Sequence, residues 1–166
     1  MSKILRILRH LALSNWKVRR DFPHKTLSAI EHAIKLSELQ HDGEIRFVVE
    51  GGLSGAPLYR GQPVRERAID IFSQVRMWDT EHRNGVLIYL LVADRAVEIV
   101  SDRGIHGRVD GREWERICTQ METAFHERRF EHGVLEGIAA VSEHLVRHFP
   151  SSGANRNELP NKVVLL

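Results

Sequence analysis

The chain has 166 residues, 42% apolar and 28% charged, the balance of a folded domain rather than a disordered one and enough to bury one core without staples. A single cysteine, Cys118, excludes an internal disulfide framework and an all-cysteine metal site, and fits a reducing, cytoplasmic compartment. The net charge of +2 is unevenly placed: residues 1–20 carry Lys3, Arg6, Arg9, Lys17, Arg19 and Arg20 and no acid, so that arm holds +6 and the rest of the chain the balance of −4.

Residues 1–23 read as a basic amphipathic N-terminal arm. Ile4, Leu5, Leu8, Leu11 and Ala12 fall at helical spacing with Lys3, Arg6, Arg9 and His10 between them. Arg6, Arg9 and His10 interrupt what would be the apolar stretch of a signal peptide, and no small-x-small cleavage site follows. Docking on the domain's own core is the expected use of the apolar stripe; peripheral contact with a membrane surface through residues 1–20 is the alternative.

A compact domain is expected over 24–150. "TLSAIEHAIKLSELQHDG" places Leu27, Ile30 and Ile34 on one face with a Ser28…Glu31 capping-box spacing, and ends at Asp42-Gly43. "EIRFVVEGG" alternates as a strand. "PVRERAIDIFSQVRMW" opens with proline and puts Val64, Ala68, Ile71, Phe72, Val75 and Trp78 on one helical face. "VLIYLLVA", Val86–Ala93, is the longest uncharged apolar run; it is far short of the ~20 residues of a membrane span and reads as a central strand buried on both faces. Asp94-Arg95 turns the chain into the antiparallel strand "AVEIVS". Asp110 caps a helix with Glu113 three residues on, and a last helix carries Val134, Leu135, Ile138, Val141, Leu145 and Phe149 before Pro150. Residues 151–166 are expected to be a loosely ordered tail.

The fold class is therefore α/β: a small sheet, built from a parallel β-α-β crossover and an antiparallel hairpin, between helices. That topology gathers Glu44, the loop "WDTEHRNG" (Trp78–Gly85) and Ser101-Asp102-Arg103 at one end of the sheet.

The run "NGVLIYLLVADRAVEIVSDRGIHG", Asn84–Gly107, follows a helix ending in Trp78. It is preceded by a strand opening "GEI" and followed by "ERRFEHGVLEGI", Glu127–Ile138. In order and spacing these pieces, spanning about residues 26–149, resemble the TPM domain family. The resemblance implies an α/β sandwich. It also implies either metal-dependent acid phosphatase activity or a part in the repair or assembly of membrane complexes. No counterpart of the family's frequent signal peptide and membrane anchor is expected in this chain. Asp79-Thr80-Glu81-His82 replaces a glycine-rich turn, Asp102-Arg103-Gly104-Ile105-His106-Gly107 replaces a Gly-x-Gly-Leu-Glu-Gly pattern, and Glu44 stands where glutamine is frequent.

Glu44, Asp79, Glu81 and Asp102 offer carboxylates, and Asn84 an amide carbonyl: hard oxygen ligands for Ca²⁺ or Mg²⁺. His82 and His106 are possible additional ligands, and Arg83 and Arg103 can steady a phosphate. The expected function is a divalent-metal-dependent phosphatase acting on phosphate esters. The alternative is a non-catalytic module for a protein partner, with a structural metal at most. Nucleic acid is not an expected partner, because the folded part is net acidic and lacks a basic stripe interleaved with aromatics.

Overall fold

All seven residues of the strand Gly85–Leu91 are buried, and the other elements are arranged around it. The computed structural model describes residues 3–13, 15–153 and 158–166. Its elements are α1 (Lys3–Ala12), α2 (Asn15–Asp21), α3 (His24–Ser37), β1 (Glu44–Glu50), α4 (Gly55–Arg60), α5 (Val64–Gln74), β2 (Gly85–Leu91), β3 (Ala96–Ser101), α6 (Arg103–His106), α7 (Gly111–His126), α8 (Phe130–His148) and β4 (Val164–Leu165). Among the described residues the sheet has the order β3-β2-β1-β4. β1 and β2 are parallel with Glu44 opposite Gly85, and β2 and β3 are antiparallel with Val86 opposite Ser101. The expected α/β class, parallel and antiparallel pairings together, is what the chain adopts.

The two-residue period of the strands divides the core in two. Ile45, Phe47 and Val49 of β1 and Val86, Ile88 and Leu90 of β2 meet Ile30 and Ile34 of α3, Ile117 and Met121 of α7, and Val134, Ile138 and Leu145 of α8. On the other face Val48, Leu87, Tyr89 and Leu91 meet Leu58 of α4, Ala68 and Ile71 of α5, and Met77. A strand with layers on both sides has no polar face, which is why β2 reads as a continuous apolar run. Gly137 lets α8 close onto α7, since a Cβ there would overlap the Met121 side chain. Cys118 belongs to this packing; burial, with the charge of Glu98, pushes its thiol up to about 12.

Several local expectations change in context. α3 starts at His24 behind Pro23 rather than at a Ser28 cap; the Glu31 carboxylate instead accepts the N–H of Val163 at 3.0 Å. α5 stops at Gln74, and Arg76 takes a left-handed φ of 59°. The apolar face therefore ends on buried Met77 while Trp78 is 53% exposed. Asp110 does cap α7, accepting the N–H of Arg112 at 2.9 Å.

Both ends of the chain depart from expectation. The tail is not loose over 158–166. Val164–Leu165 pairs parallel with Val48–Val49 as an edge strand, Val163 is buried, and Leu166 N–H donates to Val49 O. The expectation for residues 154–157 lies outside the described residues. The arm docks, but with its polar side inward. His10 is buried and Arg6 partly so, while Ile4, Leu5, Leu8 and Leu11 are 58–69% exposed. No helix of the described residues is long and apolar enough to cross a membrane.

Candidate functional site

The strand register brings three chain segments to one end of the sheet. Glu44 opens β1 beside Gly85, Asp102 N–H donates to Gly85 O at 2.9 Å, and Gly104 N–H donates to Arg83 O at 2.8 Å. Gly104 is required there, because a Cβ would collide with the carbonyls of His82 and Arg83. Arg83 holds a left-handed φ of 51°, a conformation costly for a non-glycine residue and kept only where surrounding structure fixes it. The loop into β2 is thus locked against the start of α6.

Its side chains divide sharply. Asn84 is fully buried: its backbone N–H donates to Thr80 Oγ1 at 3.2 Å, and its amide nitrogen donates to Asp42 O at 2.8 Å. That bond turns the amide oxygen away, and Asn84 Oδ1 is a buried acceptor with no hydrogen-bond partner. Asp102, 9% exposed, caps α6 with one oxygen, accepting the N–H of Arg103 at 2.6 Å. Its second oxygen, Oδ2, is likewise buried without a partner. Buried acceptors are almost always satisfied, so two orphans on adjoining strand ends need a cause.

Glu44 is buried and faces the tail, not the loop carboxylates. Its two oxygens accept the N–H groups of Glu158 and Leu159, at 2.9 and 3.3 Å. Burial, more than those bonds can offset, pushes its carboxyl up to about 7. Glu158 then ties the loop to the strand, because its own carboxylate accepts the N–H of Glu81 at 2.9 Å. The Asp79 carboxylate points to Arg76, 2.6 Å away, in an exposed i,i+3 pair. Glu81, His82, Arg83 and Arg103 are exposed, and His106 Nδ1 lies 3.3 Å from Ser101 Oγ at the surface. The topology therefore brings the chain at Glu44, Asn84 and Asp102, three buried polar residues, to one end of the sheet and leaves Asp79, Glu81 and the histidines at the rim. Among the described residues no three His, Cys, Asp or Glu side chains come together as a metal-holding group; at this end of the sheet the buried oxygens that lack partners belong to one amide and one carboxylate.

A family model for the TPM domain matches residues 22–144. The chain belongs to the TPM domain family. A similar solved structure is the BA42 protein from the psychrophilic bacterium Bizionia argentinensis, 30% identical over 86% of this chain and 93% of that one, with a TM-score of 0.75. The N-terminal domain of a protein from P. gingivalis is 20% identical over 76% of this chain and 79% of that one, with a TM-score of 0.58, and shares the fold. No curated protein matches the chain.

A second group of buried charged side chains in this TPM domain lies elsewhere. At the other end of β1 the buried Glu50 accepts two bonds from Arg67, at 2.8 and 2.9 Å, and one from Tyr89 Oη at 2.6 Å. Burial, and then that bond, raise the Tyr89 phenol. Nearby Asp94 accepts Arg6 and His10, at 2.7 and 3.0 Å. Burial alone would raise Asp94, but these bonds and charges hold it below the usual carboxylate range. His10 Nδ1 accepts the N–H of Leu53 at 2.8 Å, so the proton sits on Nε2 and points at Asp94. Back at the Glu44 end, Glu38, 6% exposed, accepts the N–H of Ile45 and a bond from Asn161; burial pushes it up to about 8. Sequence signals for these residues existed. Tyr89 in an uncharged run must place its hydroxyl on something, Arg46, Val48 and Glu50 share a strand face, and Glu38 falls one helical turn after Ile34.

Proposed function

We propose that this TPM domain binds a divalent cation, Ca²⁺ or Mg²⁺, at the sheet end formed by Glu44, Asn84 and Asp102, and acts there on a phosphate ester. The observation that carries the reading is the pair of buried, unpartnered oxygens, Asn84 Oδ1 and Asp102 Oδ2, which are hard donors of the kind these cations take. The Asn84–Asp42 bond orients the amide oxygen, and the cap of α6 leaves one Asp102 oxygen to spare. Glu44 adds a carboxylate that is partly protonated near neutral pH and would ionise against a cation. The exposed Arg83 and Arg103 border these groups and would receive the negative charge of a phosphate. A bound cation would supply polarisation of a phosphoryl oxygen and a more acidic water.

A second reading is a non-catalytic binding module with a cation that only stabilises the fold. It is favoured by the structural use of the same acids: Glu44 anchors the tail, Asp102 caps a helix and Asp79 pairs with Arg76. Thermal melting with and without millimolar Ca²⁺ or Mg²⁺, alongside turnover of a chromogenic phosphate ester, separates the two. A rise in melting temperature by mass action, lost in Asp102→Asn, together with cation-dependent turnover supports the phosphatase. A rise without turnover supports the module. No rise with either cation removes the cation site from both.

A further inference from the structure

Helix α1 is mounted on the domain by its polar side. On a helical wheel Arg6 and His10 lie one turn apart, and both reach Asp94 in the turn between β2 and β3. Arg6 also donates to Gln62 O at 2.9 Å, and Ile7 packs on the core beneath. His10 fits closely, since a Cβ on Gly52 would lie 2.9 Å from the His10 carbonyl. The opposite stripe, Ile4, Leu5, Leu8 and Leu11, stands 58–69% exposed. A folded domain that buries its polar contacts and displays four large aliphatic residues in a row has reversed the usual arrangement. On the next helix Trp16 is 68% exposed, and α4, which lies against α1, exposes Tyr59 at 59%.

We infer that α1 is an in-plane anchor for an anionic lipid surface, entering the headgroup layer with Ile4, Leu5, Leu8 and Leu11 while Arg6 and His10 hold it to the domain. Charge selects this occupant. Residues 1–20 carry +6 and no acid, and the remainder of the chain is net −4. The basic charge is thus concentrated in the segment that also carries the apolar stripe. An anionic bilayer attracts that segment, in which Lys3, Lys17 and Arg19 are exposed, and repels the net-acidic remainder. A second copy of the chain is the poorer match, because burying this face in a symmetric dimer sets two acid-free +6 arms against each other. The fixed Arg6–Asp94–His10 mount also gives the anchor a defined angle to the domain, unlike a flexible basic tail. This inference is independent of any chemistry at the Glu44 end.

The test is co-sedimentation of the full chain with vesicles of mixed phosphatidylglycerol and phosphatidylcholine, and with vesicles of phosphatidylcholine alone. It is run at about 0.01 M and about 1 M salt, where the screening length falls from ~30 to ~3 Å. The expected result is binding to the anionic vesicles at low salt, weakened by high salt and by the neutral lipid, with the Trp16 emission moving to the blue. Leu5→Ser/Leu8→Ser alters exposed positions only, so it should melt like wild type and bind about tenfold or more weakly. Lys3→Glu/Lys17→Glu should weaken binding to the anionic vesicles selectively. Three results would overturn the inference. One is no binding at low salt. Another is equal binding by the Leu5/Leu8 variant, which would mean adhesion by charge alone. The third is self-association of the wild type that this variant abolishes, with no vesicle binding, which would make the occupant a second copy.

Discussion

At the Glu50 end of the sheet a buried carboxylate is gripped by Arg67 through two hydrogen bonds, with Tyr89 as a third donor. At the Glu44 end the buried carboxylates of Glu44 and Asp102 are met by backbone N–H groups. None of the ion pairs among the described residues includes either of them. Asp94, on the Arg67 side of the molecule, is held below the ordinary carboxylate range by Arg6 and His10, whereas Glu44 is raised to about 7. One end carries its own cations and is electrostatically closed. The other has hydrogen bonds and only the more distant charge of Arg46, a condition under which an external cation is worth more. The difference separates carboxylates used to build the fold from those left available to it.

The largest expected effect comes from opening the closed end. Arg67→Ala leaves Glu50 buried with no counter-charge and should cost about 3–5 kcal/mol in urea unfolding; a loss below about 1 kcal/mol would show that Glu50 simply takes up a proton, and the contrast between the ends would lose its basis. Next comes the tail. Ending the chain before Glu158 removes the N–H donors to Glu44, the edge strand and the buried Val163. It should cost about 2–3 kcal/mol, and an unchanged melting temperature would restore the view of the tail as loose.

The pH dependence of stability sharpens the comparison further. An unfolded glutamate releases its proton near 4.5, but folded Glu38 retains it up to about 8 and Glu44 up to about 7. The folded state therefore binds more protons in that window, and stability must fall as pH rises through it. His41 acts oppositely at lower pH, because burial lowers it from 6.5 to about 4, so stability is lost as pH falls through that range. The clean window is pH 6.5 to 8. There Glu38→Gln should remove a decline of about 1–2 kcal/mol, read from urea midpoints at each pH; an unaltered slope would mean that Glu38 is ionised at neutral pH. The smallest effect belongs to the rim. Asp79→Ala breaks a pair whose side chains are 64% and 49% exposed and should change stability by about 0–1 kcal/mol. A larger loss would place Asp79 in the site rather than at its edge.

The candidate site was legible only in outline. The order of strands and the hairpin are enough to place Glu44, the 79–84 loop and Asp102 at one end, and the structure has them there. Which of their atoms turn inward was not legible. Asp79, Glu81, His82 and Asn84 look alike as polar loop residues, yet only Asn84 is buried, because Asp42, 42 positions away in sequence, takes its amide. The basic arm teaches the same lesson. Its stripe is plain in the sequence, but the buried side is chosen by Asp94, 88 positions away.

By itself, the sequence determined the type and order of the main elements α3, β1, α5, β2, β3, α7 and α8, though not the short α4 and α6, together with the burial of β2 on both faces, the cap at Asp110 and the charge asymmetry of the arm. These rest on periods of 2 and 3.6 residues and on contacts within a turn or two. Only the tertiary structure decided that the tail closes the sheet edge, that Glu44 is answered by residues 114 and 115 positions away, that Glu50 is paired while Glu44 is not, and that α1 shows its aliphatic face to the outside. Those outcomes depend on which distant donor reaches a buried carboxylate once the chain has closed around the sheet. An unanswered buried charge costs more than an exposed leucine, so the long-range polar pairings, not the local hydrophobic pattern, set the final arrangement at both ends.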